Sequence, residues 1–307
     1  HCITRMLETV YPILDYYTVI DTGSTDSTRE VIKSFFDSKN INGQIIDRPF
    51  DNFENSRNFA MEMAKGKTDY AMWIDADEEL VISDEFDKNS LDKDLYMFNT
   101  RIGTMEYTRN EMWNTSKDFK WYGPVHEFIT TKEKITSDTI KGLSVIVHMD
   151  GGSWKEDVSN KYLKHAHILE QYIVEDRDPR WVFYTAQSWH DSSVTKSKSE
   201  NNERLKRSLK YYQERVNTNG GYDEERYYSQ LRVGIIKKNI GEYPWSEVQQ
   251  ELLRAYDMDN LRGESIRYIV EHYQKMQDWN LAYIFSNIGY TQFHSNSPYP
   301  KRLLFVD

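Results

Sequence analysis

The sequence predicts an α/β domain followed by an all-α domain of helical repeats. Three observations predict it. Residues 1–150 alternate strand and helix signals, residues 94–148 within them turn to strands and hairpins, and strand signals stop from about residue 157. Strands alternating with helices imply a mostly parallel sheet with right-handed crossovers. The expected boundaries are 1–156 for the α/β domain, 157–290 for the helical domain and 291–307 for a tail.

"YYTVID" (16–21) is a short β-branched and aromatic run that ends in a turn. "DSTREVIKSFFDS" (26–38) places Val31, Ile32, Phe35 and Phe36 on one side of a helix, with Ser27 and Glu30 at capping-box spacing. "GQIIDR" (43–48) reads as a strand, "NFENSRNFAMEMAKG" (52–66) as a helix stopped at Gly66, and "DYAMWID" (69–75) as a third strand. "DLYMFNT", "MEYTRNEMWN", "HEFITT" and "LSVIVHM" read as further strands. After residue 157 seven stretches show helical spacing with aromatics, broken at "NTNGGYD" and "NIGEYP". Tyr184, Ser229 and Tyr268 recur at similar places in successive helix pairs, an irregular repeat somewhat longer than the tetratricopeptide period of about 34 residues. The plain reading of the aromatic stripes is core between helices.

Composition narrows the function. The net charge of −10 argues against salt-driven binding to nucleic acid or an anionic membrane. No apolar run approaches the roughly 20 residues that span a bilayer. Cys2 is the one cysteine, so neither an internal disulfide framework nor a cysteine metal cluster is available. A reducing, cytoplasmic setting is expected. The chain opens on His1, which leaves room for a removed leader.

Four stretches carry chemistry. In parallel α/β sheets, ligands bind beyond the carboxyl ends of strands. Asp21 and Asp75 both fall at such ends and are expected to face one crevice. In "VIDTGSTDST", Gly23 allows a tight turn, and Ser24 leads into a helix start whose N–H groups suit an anion. The bland alternative is a well-capped strand–turn–helix. In "NSRN" (55–58), Arg57 can neutralise a diphosphate, or can make a surface salt bridge. "MWIDADEELV" (72–81) puts four carboxylates after an apolar strand. Asp75-Ala76-Asp77 offers hard oxygens for Mn²⁺ or Mg²⁺, which would also bind a nucleotide diphosphate. Solvation is the reading for Glu79 and one option for Glu78. Finally, "WYGPVHEF" (121–128) and "VIVHMDGG" (145–152) offer Glu127 as a general base and His148 as a third metal ligand.

Together, "YTVIDTGSTDSTREVI", "NSRNFAM", "MWIDADEEL", "WYGPVHEFI" and "VIVHMDGGSW" resemble the inverting family 2 glycosyltransferases of the GT-A fold. The subgroup they look most like carries a tetratricopeptide-like helical domain after the catalytic one. The resemblance implies a nucleotide-sugar donor, a divalent cation, Asp21 near the base, Asp75 and Ala76 at the ribose, Asp77 on the metal, and transfer with inversion. UDP-glucose is the leading donor by family frequency, and a hexose the expected sugar. "HCITRMLETVYPILDYY" looks like the helix that follows the family's first strand, so that strand is expected to lie outside this chain. The acceptor stays open among protein, glycan, lipid-linked sugar and modified nucleic-acid base. The helical domain is expected to help bind it or to mediate self-association. Two rivals remain: a nucleotidyltransferase of related sheet topology, and a helical-repeat scaffold with an inactive front domain.

Overall fold

The computed structural model describes residues 2–150 and 157–293, and the chain divides into two compact units, His1–Glu156 and Asp157–Asp307. Gly151, Gly152 and nearly all of the C-terminal tail lie outside the described residues.

The first unit opens with α1 (Cys2–Val10). Ile3, Met6, Leu7 and Val10 recur at helical spacing and are all buried. β1 (Tyr16–Asp21) leads into α2 (Thr28–Ser38) and back to β2 (Asn42–Asp47). β1 and β2 pair in parallel, with Asp21 opposite Asp47. Two carboxylates side by side repel. Arg29 of α2 answers them, bonding Asp47 and lying 3.6 Å from Asp21. Ser27 makes no capping bond, contrary to the capping-box expectation. Asp26 takes that role, accepting from the Thr28 N–H at 3.1 Å.

α3 (Phe53–Ala64) is capped by Asn52, which accepts from the Asn55 N–H at 2.8 Å. Then follow β3 (Tyr70–Met72), β4 (Glu78–Ile82), β5 (Leu95–Ile102), β6 (Met105–Asn114), β7 (Lys120–Tyr122), β8 (Phe128–Thr130) and β9 (Ser137–Val147). Five of these form one sheet, in the order β3-β6-β5-β9-β4. β7 and β8 make a small antiparallel hairpin. The α/β character holds, but parallel pairing is confined to β1–β2 and β5–β9. The remaining pairs are antiparallel: β5–β6 and β7–β8 join consecutive strands through short connections, and β3–β6 and β4–β9 join strands far apart in sequence. One face of the large sheet, α1 and α2 share a core built on Leu7, Ile32, Phe36, Leu80, Phe98 and Val145.

Gly142 interrupts β9 where its register with β5 shifts. Its φ is +75°, and a Cβ there would sit 2.2 Å from the Phe86 backbone nitrogen. A left-handed non-glycine residue costs about 1–3 kcal/mol, and forced overpacking adds about 1–3 kcal/mol. Gly142→Ala is therefore expected to lower stability by about 3 kcal/mol. A urea-denaturation midpoint equal to wild type would refute this.

The second unit contains seven helices among its described residues: α4 (Val158–Glu175), α5 (Pro179–Asp191), α6 (Lys198–Asn217), α7 (Asp223–Ile240), α8 (Trp245–Met258), α9 (Glu264–Lys275) and α10 (Trp279–Phe293). Each packs on its neighbours in sequence. Starts are marked by Asp178 before Pro179 and by Ser197, each accepting a first-turn N–H. Much of the aromatic content is core, with Trp181, Phe183, Trp189, Tyr212, Tyr227 and Tyr228 buried, but Trp279, Tyr283 and Tyr290 of α10 are exposed. Tyr184, Ser229 and Tyr268 fall on alternate helices, α5, α7 and α9. Arg215 is fully buried, held by Glu225 at 3.2 Å and by the Tyr222 carbonyl at 3.0 Å. Burial raises the Glu225 carboxyl above its ordinary range, and Arg215 offsets part of that. No described helix is long and apolar enough to cross a membrane.

Candidate active site

The Asp75-Ala76-Asp77 segment is a turn between β3 and β4. The ladder ends with Trp73 N–H donating to the Glu111 carbonyl at 2.9 Å. The chain then reverses, and the Glu78 N–H closes on the Asp75 carbonyl at 3.0 Å. Asp75 and Asp77 are half-buried and Ala76 is exposed.

α3 organises the side chains around this turn. Arg57 and Asn58 both act on β7 and the loop after it. Asn58 clamps the Trp121 backbone, donating to its carbonyl and accepting from its N–H, both at 2.8 Å. One turn earlier, Glu54 accepts from the Gly123 N–H at 2.8 Å. Arg57 lies between two indoles, 4.4 Å from the ring centre of Trp73 and 4.4 Å from that of Trp121. Its guanidinium is 3.0 Å from Glu127 Oε1 and 3.6 Å from Asp75 Oδ1. Trp73 Nε1 donates to that same Asp75 oxygen at 2.7 Å. Arg57, Asp75 and Glu127 are thus brought together, and stacking on two rings fixes the cation (each contact contributes about 0.5–2 kcal/mol). Arg57 Nε and Trp121 Nε1 are buried donors that make no hydrogen bond.

Glu127 precedes β8 in a loop and does not lie on a strand edge. The loop bends sharply, with His126 in the left-handed region at φ +54°. The Glu127 side chain is 10% exposed.

At the other end of the turn, the His148 N–H donates to the Asp77 carbonyl at 3.0 Å. The imidazole does not stand alone: Nε2 is 2.8 Å from Glu79 Oε2. Glu79 is therefore paired, contrary to the expectation that it is solvated. For Glu78, where solvation was one option, the structure shows burial. It is 1% exposed, 2.6 Å from Arg109, and accepts from the Asp75 N–H at 2.9 Å. Burial raises its carboxyl above the ordinary range, with Arg109 pulling the other way. Arg5 of α1 makes two 2.9 Å bonds to Asp150, which hold that carboxyl below its ordinary range.

Asp21 sits in a separate network. Its Oδ1 accepts from the Gly23 N–H at 3.2 Å and the Ser24 N–H at 2.9 Å. Burial pushes its carboxyl up, but these donors and Arg29 outweigh burial and hold it below the ordinary range. Gly23 adopts φ +120°, which only glycine takes readily. No hydrogen bond or ion pair joins Asp21 to Asp75 among the described residues.

Among the described residues, no three His, Cys, Asp or Glu side chains gather as a ready metal cluster. The donor set still suits a cation that shares substrate phosphates. Such ions take one or two protein ligands and fill the rest with phosphate and water oxygens. Asp77 and His148, tied by a backbone bond, are the residues at hand.

Residues 1–84 match the family model for glycosyl transferase family 2. The match supports a family 2 glycosyltransferase, and that family implies a nucleotide-sugar donor. It ends two residues past β4. Asp21, Arg57, Asp75 and Asp77 fall inside the matched segment; Glu127 and His148 fall outside it. No curated protein matches the chain significantly. Sequence reasoning missed Glu54, Asn58, Trp73, Trp121 and Arg109. The one signal available was tryptophan in both "MWID" and "KWYG", two strand ends carrying the same large ring.

Proposed function

We propose that the chain is a metal-dependent inverting glycosyltransferase that moves a hexose from a UDP-sugar, with UDP-glucose as the leading donor, to an acceptor hydroxyl. The observation that carries the reading is the convergence of Arg57, Asp75 and Glu127 beside a turn inside the family 2 segment. Asp21, Gly23 and Ser24 bind the nucleotide. Asp75 and Ala76 meet the ribose. Arg57 neutralises the diphosphate. Asp77 and His148 would hold Mn²⁺ or Mg²⁺. When bound, the cation supplies charge stabilisation to the departing diphosphate.

Glu127 is the base. Its Oε1 faces Arg57, and the other oxygen takes the acceptor proton. The acceptor oxygen bonds to the anomeric carbon from the face opposite the diphosphate. The carbon–oxygen bond to the diphosphate breaks, and its electron pair leaves with the nucleotide. Attack from the opposite face inverts the anomeric centre. The helical unit, read as a tetratricopeptide-like array, takes part in acceptor recognition or self-association.

The test is incubation with a panel of nucleotide sugars, with and without Mn²⁺. Cation-dependent release of nucleoside diphosphate is expected, fastest with UDP-glucose. Release of sugar 1-phosphate, with the nucleotidyl group passed to a second acceptor, would favour a nucleotidyltransferase. No turnover with any donor would favour the scaffold reading.

A further inference from the structure

Glu78 follows Asp77 directly, yet its carboxylate points away from solvent and spans the turn. Oε2 accepts the Asp75 N–H at 2.9 Å, and Oε1 accepts from Arg109 Nη2 at 2.6 Å. The turn's own closing bond runs the other way, from the Glu78 N–H to the Asp75 carbonyl. Residues 75 and 78 are therefore tied twice, once by backbone and once by side chain. Arg109 lies on β6 and also pairs with Glu111 of the same strand. Glu111 is 1% exposed, and its carbonyl holds the Trp73 N–H at the start of the turn. One arginine thus links both ends of the Asp75–Asp77 turn.

Burying two carboxylates around one guanidinium is a poor way to gain stability. Desolvation offsets the attraction, and an apolar replacement of similar volume is often neutral or better. The arrangement is better explained by what it holds in place. A four-residue turn closed by one backbone bond has freedom to rock, and rocking would swing both aspartates.

We propose that Glu78, anchored by Arg109, is a positioning residue that fixes the Asp75–Asp77 turn in the orientation in which its carboxylates meet the donor. The inference rests on the glycosyltransferase reading above. Glu78 touches no substrate; it acts through the backbone of Asp75.

The test compares Glu78→Leu and Glu78→Gln with wild type in the full chain. Leucine keeps the volume and removes both bonds. Glutamine keeps one acceptor oxygen, which cannot serve Asp75 and Arg109 together. Hydrogen exchange of the Asp75 amide is expected to accelerate about tenfold in Glu78→Leu, the size of one lost hydrogen bond. A smaller acceleration is expected in Glu78→Gln. Transfer should fall in the same order, through kcat and not KM for acceptor. If Glu78→Leu does not fold, the glutamine variant decides on both readouts. Asp75 exchange at the wild-type rate overturns the proposal, as does faster exchange with wild-type turnover. A wild type that turns over no nucleotide sugar sinks the glycosyltransferase reading instead, and the exchange measurement still decides whether Glu78 braces the turn.

Discussion

Glu127→Gln is expected to lower sugar transfer about 100-fold or more while leaving donor binding unchanged, the usual span for loss of a general base. Glutamine keeps the size of the side chain and its contacts in the bend before β8. It removes the charge that takes the acceptor proton. The loop is held by other residues: Asn58 on the Trp121 backbone and Glu54 on the Gly123 N–H. The substitution therefore leaves the site assembled. Arg57 faces a neutral amide in place of a carboxylate but keeps Asp75 and both indoles. The loss should appear in kcat, with KM for the donor near wild type. Unchanged turnover would move the base to Asp118 or Asp150. Of these, Asp150 is the weaker choice, because two bonds to Arg5 already stabilise its ionised form.

The parts of this fold that were legible in sequence are those with local causes. The β1–α2–β2 unit is readable because the hydrophobic period switches from 2 to 3.6 and back within about thirty residues. α3 shows its start at Asn52 and its stop near Gly66, which adopts φ +72°. The order of the large sheet was not readable. "DLYMFNT" and "LSVIVHM" look alike as strands, and nothing local says that β5 and β9 run parallel while β4 pairs antiparallel to β9. The same division holds at the site. Asp21, Asp75 and Asp77 can be found because strand ends followed by turns are local signals. The double stack on Arg57 cannot, since Trp73 and Trp121 meet only through tertiary packing. The burial of Glu78 was not readable for a related reason. Acidic residues clustered after a strand are compatible with solvated surface, and only a distant arginine, Arg109, makes burying one of them tolerable.

Asp77→Ala is expected to abolish cation-dependent donor binding and to leave the fold intact. The structural role of residue 77 is carried by its backbone: the carbonyl accepts the His148 N–H, and alanine keeps that carbonyl. The turn is closed by Asp75 and Glu78, neither of which changes. Removing a half-buried carboxylate from an acidic turn should therefore shift stability by about 0.5 kcal/mol or less. The effect on binding has a different scale. A cation that fills most of its shell with phosphate and water oxygens depends heavily on each protein ligand it has. With Asp77 gone, His148 stays engaged with Glu79, and the turn offers only Asp75, already bonded to Trp73 and near Arg57. Titration of UDP-glucose should then give the same weak affinity with and without Mn²⁺, where wild type binds more tightly with the ion. If Asp77→Ala hydrolyses donor at the wild-type rate in the presence of Mn²⁺, the metal is held elsewhere. Glu79 beside His148 would then be the next carboxylate to change, because it is the one the imidazole already faces.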